Sequence, residues 1–284
     1  MEIKELKPSR FPERLREIPS PPEKLWISGE LPPEDFFYLA IVGTRKYSSY
    51  GEEVCERIIS GLKNYNFVII SGLAIGIDSI AHKLALENNL KTIAVPGSGL
   101  DFSVLHPHSN RPLAKKIVES GGCLISEFPP KMPAGLHTFP QRNRIIAGLS
   151  KAVLIIEAPE KSGALITARF ALDFNRDVLA VPGSIFNENS KGTNQLIKMG
   201  AVPVTSSEDI LEIFNINTSS DSNAKLFALS PLEEKILLAL DCPMSKDDLI
   251  RKLDMSAYEI NPALTMMQIN GLIKERDGEI YKII

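Results

Sequence analysis

The sequence predicts an α/β fold, a mostly parallel sheet with helices on both faces, followed by a small C-terminal winged-helix-like domain. Three observations carry this. Within residues 37–204, short apolar runs rich in β-branched residues alternate with helix-length amphipathic stretches, the pattern of strands buried under covering helices. Nearly every run is followed by glycine: Gly43, Gly72, the pair Gly97 and Gly99, and Gly183. After residue 213 a polar stretch without periodicity reads as a linker, and three helix-like segments and a hairpin follow it.

Taken in chain order, residues 1–36 carry prolines at 8, 12, 19, 21, 22, 32 and 33, which exclude one long helix. Strands are predicted at Phe37–Val42, Phe67–Ile70, Thr92–Val95, Cys123–Ile125, Ala152–Ile156, Val178–Val181 and a short Ala201–Val204. In an open sheet of this kind the ligand lies beyond the carboxyl ends of the strands. Gly43, Gly72, Gly97 and Gly99 are therefore expected on one edge, where backbone can approach an anion and helix N-termini direct amides toward it. Ser230-Pro231-Leu232-Glu233 is a capping box with proline at the first helical position and opens a helix to about Leu240. Ser245 caps a second helix to about Leu253, a third runs from Ser256 to Asn270, and Leu272–Ile284 turns at Asp277-Gly278.

The 284 residues suffice for one large domain and one small one. A formal charge of -3, from 32 basic and 35 acidic side chains, argues against a uniformly basic nucleic-acid binder. The charge is unevenly spread, however. Residues 37–204 hold 18 basic and 13 acidic residues, whereas 205–284 hold 8 and 14, a basic middle and an acidic tail. Cys55, Cys123 and Cys242 are too few and too scattered for a disulfide framework or zinc knuckle and read as buried thiols. No apolar run approaches the ~20 residues of a membrane span, and the N-terminus lacks the apolar core of a signal peptide. A soluble cytoplasmic protein is expected.

Enzyme signatures do not assemble. The stretch from Gly97 to Phe102 lacks the third glycine of the dinucleotide fingerprint, Ser71–Gly76 has the wrong spacing, and no P-loop or nucleophile elbow occurs. His106-Pro107-His108 resembles a metal pair, but only His82 and His137 remain to complete it. Asp78 and His82 stand four apart on one helix face, where a structural hydrogen bond is the plainer role. No catalytic residue, cofactor or metal is expected.

The segment from His137 to Arg144 concentrates groups that suit a single strand. Arg142 and Arg144 can fork onto phosphate, Gln141 and Asn143 offer amides to base edges, and Phe139 offers a stacking face. The plainer alternative has Phe139 in the core and one arginine paired with Glu127 or Glu157. Arg45 follows the first predicted strand. Lys161 precedes Ser162-Gly163, which should open the helix bearing Arg169, and Lys191 precedes another helix start. Successive strands would gather these cations on one rim.

At these residues the chain resembles the DNA-processing protein A (DprA/Smf) family. The likeness runs through Ile41–Arg45 with Ser48, Tyr50 and Gly51; Ser71–Asp78 with Ala81 and His82; Phe139-Pro140 with Arg142–Ser150; Ser162–Arg169; and Ala180–Gly183 with Gly192–Ile197. Phe11, Pro12 and Leu15, then Pro21, Pro22, Leu25, Trp26 and Gly29, resemble the family's opening segment. The resemblance implies a Rossmann-like domain over 37–214, with 1–36 packed on it, a linker at 215–225 and a winged-helix-like domain at 226–284. It implies binding of single-stranded DNA without cleavage, help in loading the recombinase RecA during natural transformation and homologous recombination, and homodimers formed through the Rossmann-like domain. By position, Arg45, Phe139, Arg142, Asn143, Arg144 and Lys161 look like members of its strand-binding pocket. The competing class is a related Rossmann-like enzyme acting on a nucleoside monophosphate. Its Pro-Gly-Gly-x-Gly-Thr-x-x-Glu motif is not continued after Pro182-Gly183-Ser184.

The tail argues differently from its fold. Its predicted recognition helix, 256–270, has no Lys or Arg and one Glu, whereas major-groove helices dock through cations. Only Lys274, Arg276 and Lys282 in the wing could serve, so a protein-interaction or regulatory role is expected there. Ile260, Leu264 and Met267 are spaced as a core face.

Overall fold

The computed structural model describes residues 2–216, 230–240, 243–253, 255–269, 272–276 and 278–282. Cys242, Asn270, Asp277 and positions 217–225 of the expected linker lie outside the described residues. The chain divides into two compact units, Met1–Ile216 and Asn217–Ile284.

In the first unit the strands are β1 (Lys4–Leu6), β2 (Leu25–Gly29), β3 (Phe37–Val42), β4 (Phe67–Ser71), β5 (Lys91–Ala94), β6 (Cys123–Ser126), β7 (Ala152–Ile155), β8 (Asp177–Ala180) and β9 (Val202–Pro203). They form one sheet in the order β1-β2-β6-β5-β4-β3-β7-β8-β9. All neighbours from β6 through β9 pair in parallel. The seven predicted strands are present, with ends shifted by a residue. The sequence pattern predicts no strand before Phe37, yet β2 pairs antiparallel with β6 and β1 antiparallel with β2. Neither has a strong pattern of its own; β2 is recruited by the open edge of β6 and β1 by the edge of β2, and the prolines lie outside them.

The helices are α1 (Glu13–Arg16), α2 (Ser49–Gly61), α3 (Ile77–Glu87), α4 (Arg111–Glu119), α5 (Thr138–Leu149), α6 (Gly163–Asp173), α7 (Lys191–Lys198) and α8 (Ser207–Ile213). The period of two along β3 sends side chains to both faces of the sheet. Tyr38, Ala40 and Val42 share a core with Ile145 and Ala168 of α5 and α6, while Leu39 and Ile41 pack with Ile58 and Ile80 of α2 and α3. Each such aliphatic side chain contributes about 1.5–3 kcal/mol when fully buried. Cys55 and Cys123 are buried, and burial pushes the Cys55 thiol up to about 12, so it stays protonated and unreactive.

From β3 the chain steps outward through β4, β5 and β6, then returns to the other flank of β3 with β7, β8 and β9. The strand order therefore reverses between β3 and β7. A crevice opens where the connections leave two neighbouring strands in opposite directions.

The second unit contains α9 (Pro231–Ala239), β10 (Met244–Ser245), α10 (Lys246–Leu253), α11 (Ala257–Ile269), β11 (Ile273–Arg276) and β12 (Glu279–Lys282), with strand order β10-β12-β11. Ser230 and Glu233 form the reciprocal cap at the start of α9, at 2.7 and 3.2 Å. Ile260, Leu264 and Met267 are buried with Ile236, Leu249 and Ile280. Three helices and a small antiparallel sheet make the winged-helix arrangement.

Candidate nucleic-acid interface

At the reversal the loops after β3 and β7 border a cleft of about 290 Å3. Gly43, Thr44 and Arg45 line it from the β3 side, and Lys161, Ser162 and Gly163 from the start of α6. Asp78, Arg142, Asn143 and Thr167 supply its buried polar lining, and Phe139, in the first turn of α5, is half-buried beside them.

The β3 loop is held by its own backbone. Thr44 donates its N–H to the Glu157 carbonyl at 2.8 Å and accepts from the Ile77 N–H at 3.3 Å. Gly76 has φ +87°, and a Cβ there would meet the Arg45 Cα at 2.7 Å, so only glycine lets α3 begin this close to the loop. The Glu157 carboxylate, 1% exposed, accepts the Ser48 N–H at 2.9 Å and the Ser48 hydroxyl at 2.5 Å, with Asn189 Nδ2 at 3.5 Å. One buried carboxylate thereby ties the loop beyond Arg45 to the turn before α7. Ser48 also caps α2 by accepting the Gly51 N–H at 3.3 Å.

Arg142 is 5% exposed. Its Nη1 donates to the carbonyls of Gly72 and Val95, and Nε has no partner among the described residues. Burial lowers its pKa to about 10, against the pull of Asp78 and with the push of Arg45, so it remains a cation near neutrality. Asp78 accepts the Gly72 N–H at 3.1 Å. Burial raises its carboxyl, and the Arg142 charge opposes that rise.

Arg45 and Lys161 are the exposed cations of the lining, and the Arg45 guanidinium lies 5.2 Å from the centroid of the Phe139 ring. Ser162 caps α6 by accepting the Ala164 N–H at 3.3 Å. The Gly163 backbone is exposed, and a Cβ there would meet nothing within 4 Å, which leaves the N-terminus of α6 open toward an anion.

Other sequence-predicted residues stand elsewhere or are already engaged. Asn143 lines the cleft, but its amide donates to the Gly163 carbonyl at 3.3 Å and joins α5 to α6. Arg144 is not in the cleft lining: it pairs with Glu127 and donates to the Ser20 carbonyl at 2.6 Å. There it borders a separate hollow with Pro21 and Lys24, so the plainer alternative holds for this arginine. Burial raises the Glu127 carboxyl while Arg144 opposes the rise. Lys191 pairs with Glu188 at 2.6 Å, outside the cleft lining. Arg169 borders an adjacent depression that shares Lys161, Ser162 and Gly163 with the cleft.

The glycines need a correction too. Of the four expected to bring backbone to an anion, Gly43 lines the cleft. Gly72, Gly97 and Gly99 are buried. The space beside them is filled by the Arg142 guanidinium, the Phe139 ring at 2.6 Å, and the carbonyls of Pro129 and Pro130 respectively. These three glycines make room for the protein's own groups. Asp78 and His82 do not bond to each other either, since His82 Nδ1 lies 2.7 Å from the Thr92 hydroxyl. Sequence reasoning missed Thr44, Thr167 and the clasp of Glu157. The one available signal for the last was an acid directly after an apolar strand.

Residues 3–215 match the DNA recombination-mediator protein A family, and residues 220–279 match the DprA winged helix domain. The protein Smf of Escherichia coli is 46% identical over 202 residues, 71% of this chain and 54% of that protein, so the chain matches about half of that relative's length. The X-ray structure of DNA processing protein A from Streptococcus pneumoniae aligns with TM-score 0.68 at 39% identity, covering 75% of this chain and 74% of that one. The Helicobacter pylori DNA processing protein A, whose structure describes its single-stranded DNA binding mode, aligns with TM-score 0.66 at 27% identity, over 76% of this chain and 96% of that one. With three quarters of its length inside the match and the cleft within it, this chain belongs to the DNA recombination-mediator protein A (DprA/Smf) family.

Proposed function

We propose that the cleft binds single-stranded DNA without cleaving it, and that the protein acts as a recombination mediator. The observation that carries this reading is the pairing of two exposed cations, Arg45 and Lys161, with the half-buried Phe139 ring and the open N-terminus of α6 at the strand reversal. Cations and amides take phosphates, and a ring face takes a base of any identity, so sequence preference is slight. Arg142, Asn143 and Asp78 hold this surface from beneath. The relative from Helicobacter pylori, described by its single-stranded DNA binding mode, supports the assignment.

The mediator acts in the cytoplasm on the RecA recombinase, helping to load it on the bound strand during natural transformation and homologous recombination, and works as a homodimer joined through its Rossmann-like domain. Among the described residues no helix is long and apolar enough to cross a membrane.

A gel shift with single- and double-stranded oligonucleotides across a salt series tests the binding. Preference for the single strand, weakening steeply with salt, is the expected result. Preference for duplex, or turnover of a nucleoside monophosphate in a mass-spectrometric screen, overturns it. Faster RecA filament growth on strands coated with single-strand binding protein tests the mediator step, and light scattering tests the dimer.

A further inference from the structure

The connection after β5, residues 95–110, contributes nothing to the cleft lining itself, yet it is strongly braced. Leu100 and Leu105 are buried against α4. The Arg111 guanidinium donates to the carbonyls of Leu105 and Ser103 at 3.1 and 2.6 Å. Asn110 donates to Leu73 and Ala74 at 2.9 and 3.2 Å, and the His106 N–H donates to Ser98 Oγ at 3.3 Å. This frame carries two exposed histidines, His106 and His108. Neither ring has a hydrogen-bond partner among the described residues. The His106 ring lies 5.8 Å from that of Phe139, tilted by 59°, and the His108 ring lies 6.4 Å beyond His106, turned by 84°.

We propose that His106 and His108 form a second contact zone for a single-stranded polynucleotide, taking the bases that leave the cleft past Phe139. The inference rests on the single-strand reading of the cleft and extends it by naming the strand's way out. Arg45, Phe139, His106 and His108 make a continuous series of flat groups that begins in the cleft and ends on open surface. These contacts fix the backbone that carries the two imidazoles, so the loop itself loses little freedom when a base settles on the rings. Burial lowers the pKa of His106, and the charges of His108 and Arg45 act in the same direction. Near neutrality that ring meets a base as a flat, uncharged surface.

The test is fluorescence anisotropy with the full chain and oligothymidylates of increasing length at about pH 8, where free imidazole carries no proton. Wild type is compared with Arg45→Ala and with the double variant His106→Ala/His108→Ala. The double variant is expected to lose about tenfold in affinity for long oligonucleotides and almost nothing for those that only fill the cleft. Its salt dependence should match wild type, and His106→Phe/His108→Phe should recover the loss. Arg45→Ala should weaken binding at every length and flatten the salt dependence. A double variant that binds every length as wild type does, or loses equally at all lengths, overturns the second zone and leaves the cleft reading intact. A wild type that binds no oligonucleotide sinks the cleft reading itself. A readout on the unaltered protein is a 2-aminopurine walked along the oligonucleotide: quenching must extend to the nucleotides just outside the cleft, and quenching confined to the cleft overturns the zone.

Discussion

Two arginines that read alike in the sequence do opposite work. Arg45 is exposed beside Phe139; Arg142 is enclosed, bonded to two backbone carbonyls and facing Asp78. Arg45→Ala should therefore lower single-strand affinity about tenfold, reduce the salt slope by roughly 0.7 for each phosphate no longer neutralised, and leave the thermal midpoint where it was. Arg142→Met should leave the Gly72 and Val95 carbonyls without their donor and Asp78 without the neighbouring charge, and destabilise by about 1–3 kcal/mol, measured by urea unfolding. A second residue-scale expectation concerns His82, fully buried, its pKa lowered to about 3 by desolvation. Below the unfolded value of about 6.5 the unfolded chain takes a proton that the folded chain refuses, so stability falls as pH falls. Asp78, with its raised carboxyl, acts in the opposite sense, so the comparison needs a variant. Between pH 7 and 5 wild type should lose about 2 kcal/mol more than His82→Gln; equal losses would refute the buried neutral imidazole. A structural role for His82 was legible in the sequence; which arginine faces solvent and which is enclosed was not. A guanidinium free for phosphate and one bonded to a carbonyl 70 residues away are the same letter until the fold brings them together.

The elements themselves were far more legible. From β3 to β8 each strand is a short, mostly apolar run closed by a turn or helix start, and buried parallel strands leave that mark in any sequence that forms them. Arg45, Phe139 and Lys161 come to one cleft because each follows a strand or opens a helix next to the reversal, whereas Lys191, expected on the same rim, does not line it. What stayed hidden was pairing that depends on a partner: β2 forms on the open edge of β6, and β1 forms on β2. The Arg144 pairing with Glu127 was one of the alternatives open in the sequence, whereas its bond to the Ser20 carbonyl was not. At this scale the α6 cap is the testable feature. Ser162→Ala removes the acceptor for the Ala164 N–H and should destabilise by about 1 kcal/mol in urea. Single-strand affinity should fall with it, since the same turn faces the cleft.

Over the whole molecule, the unit boundary at Ile216 changes the meaning of the charge distribution. Three acids of α8, Glu208, Asp209 and Glu212, fall inside the first unit. Counted to that boundary, residues 1–216 hold 24 basic and 24 acidic side chains, so the unit with the cleft is neutral and the second carries the excess of acid. Attraction for a polyanion must come from where Arg45 and Lys161 stand, because the total supplies none. Residues 1–216 alone should accordingly bind a single strand within about threefold of the full chain and with the same salt slope; a large loss would assign DNA contacts to the winged-helix unit. The clasp of Glu157 carries a consequence for the order of events in synthesis. It joins Ser48, 109 positions earlier, to Asn189, 32 positions later, and such distant closures come late on a folding path. A chain growing from the ribosome cannot complete the rim until Asn189 has been made, so a nascent or truncated product ending before it has most of the sheet and no finished grip.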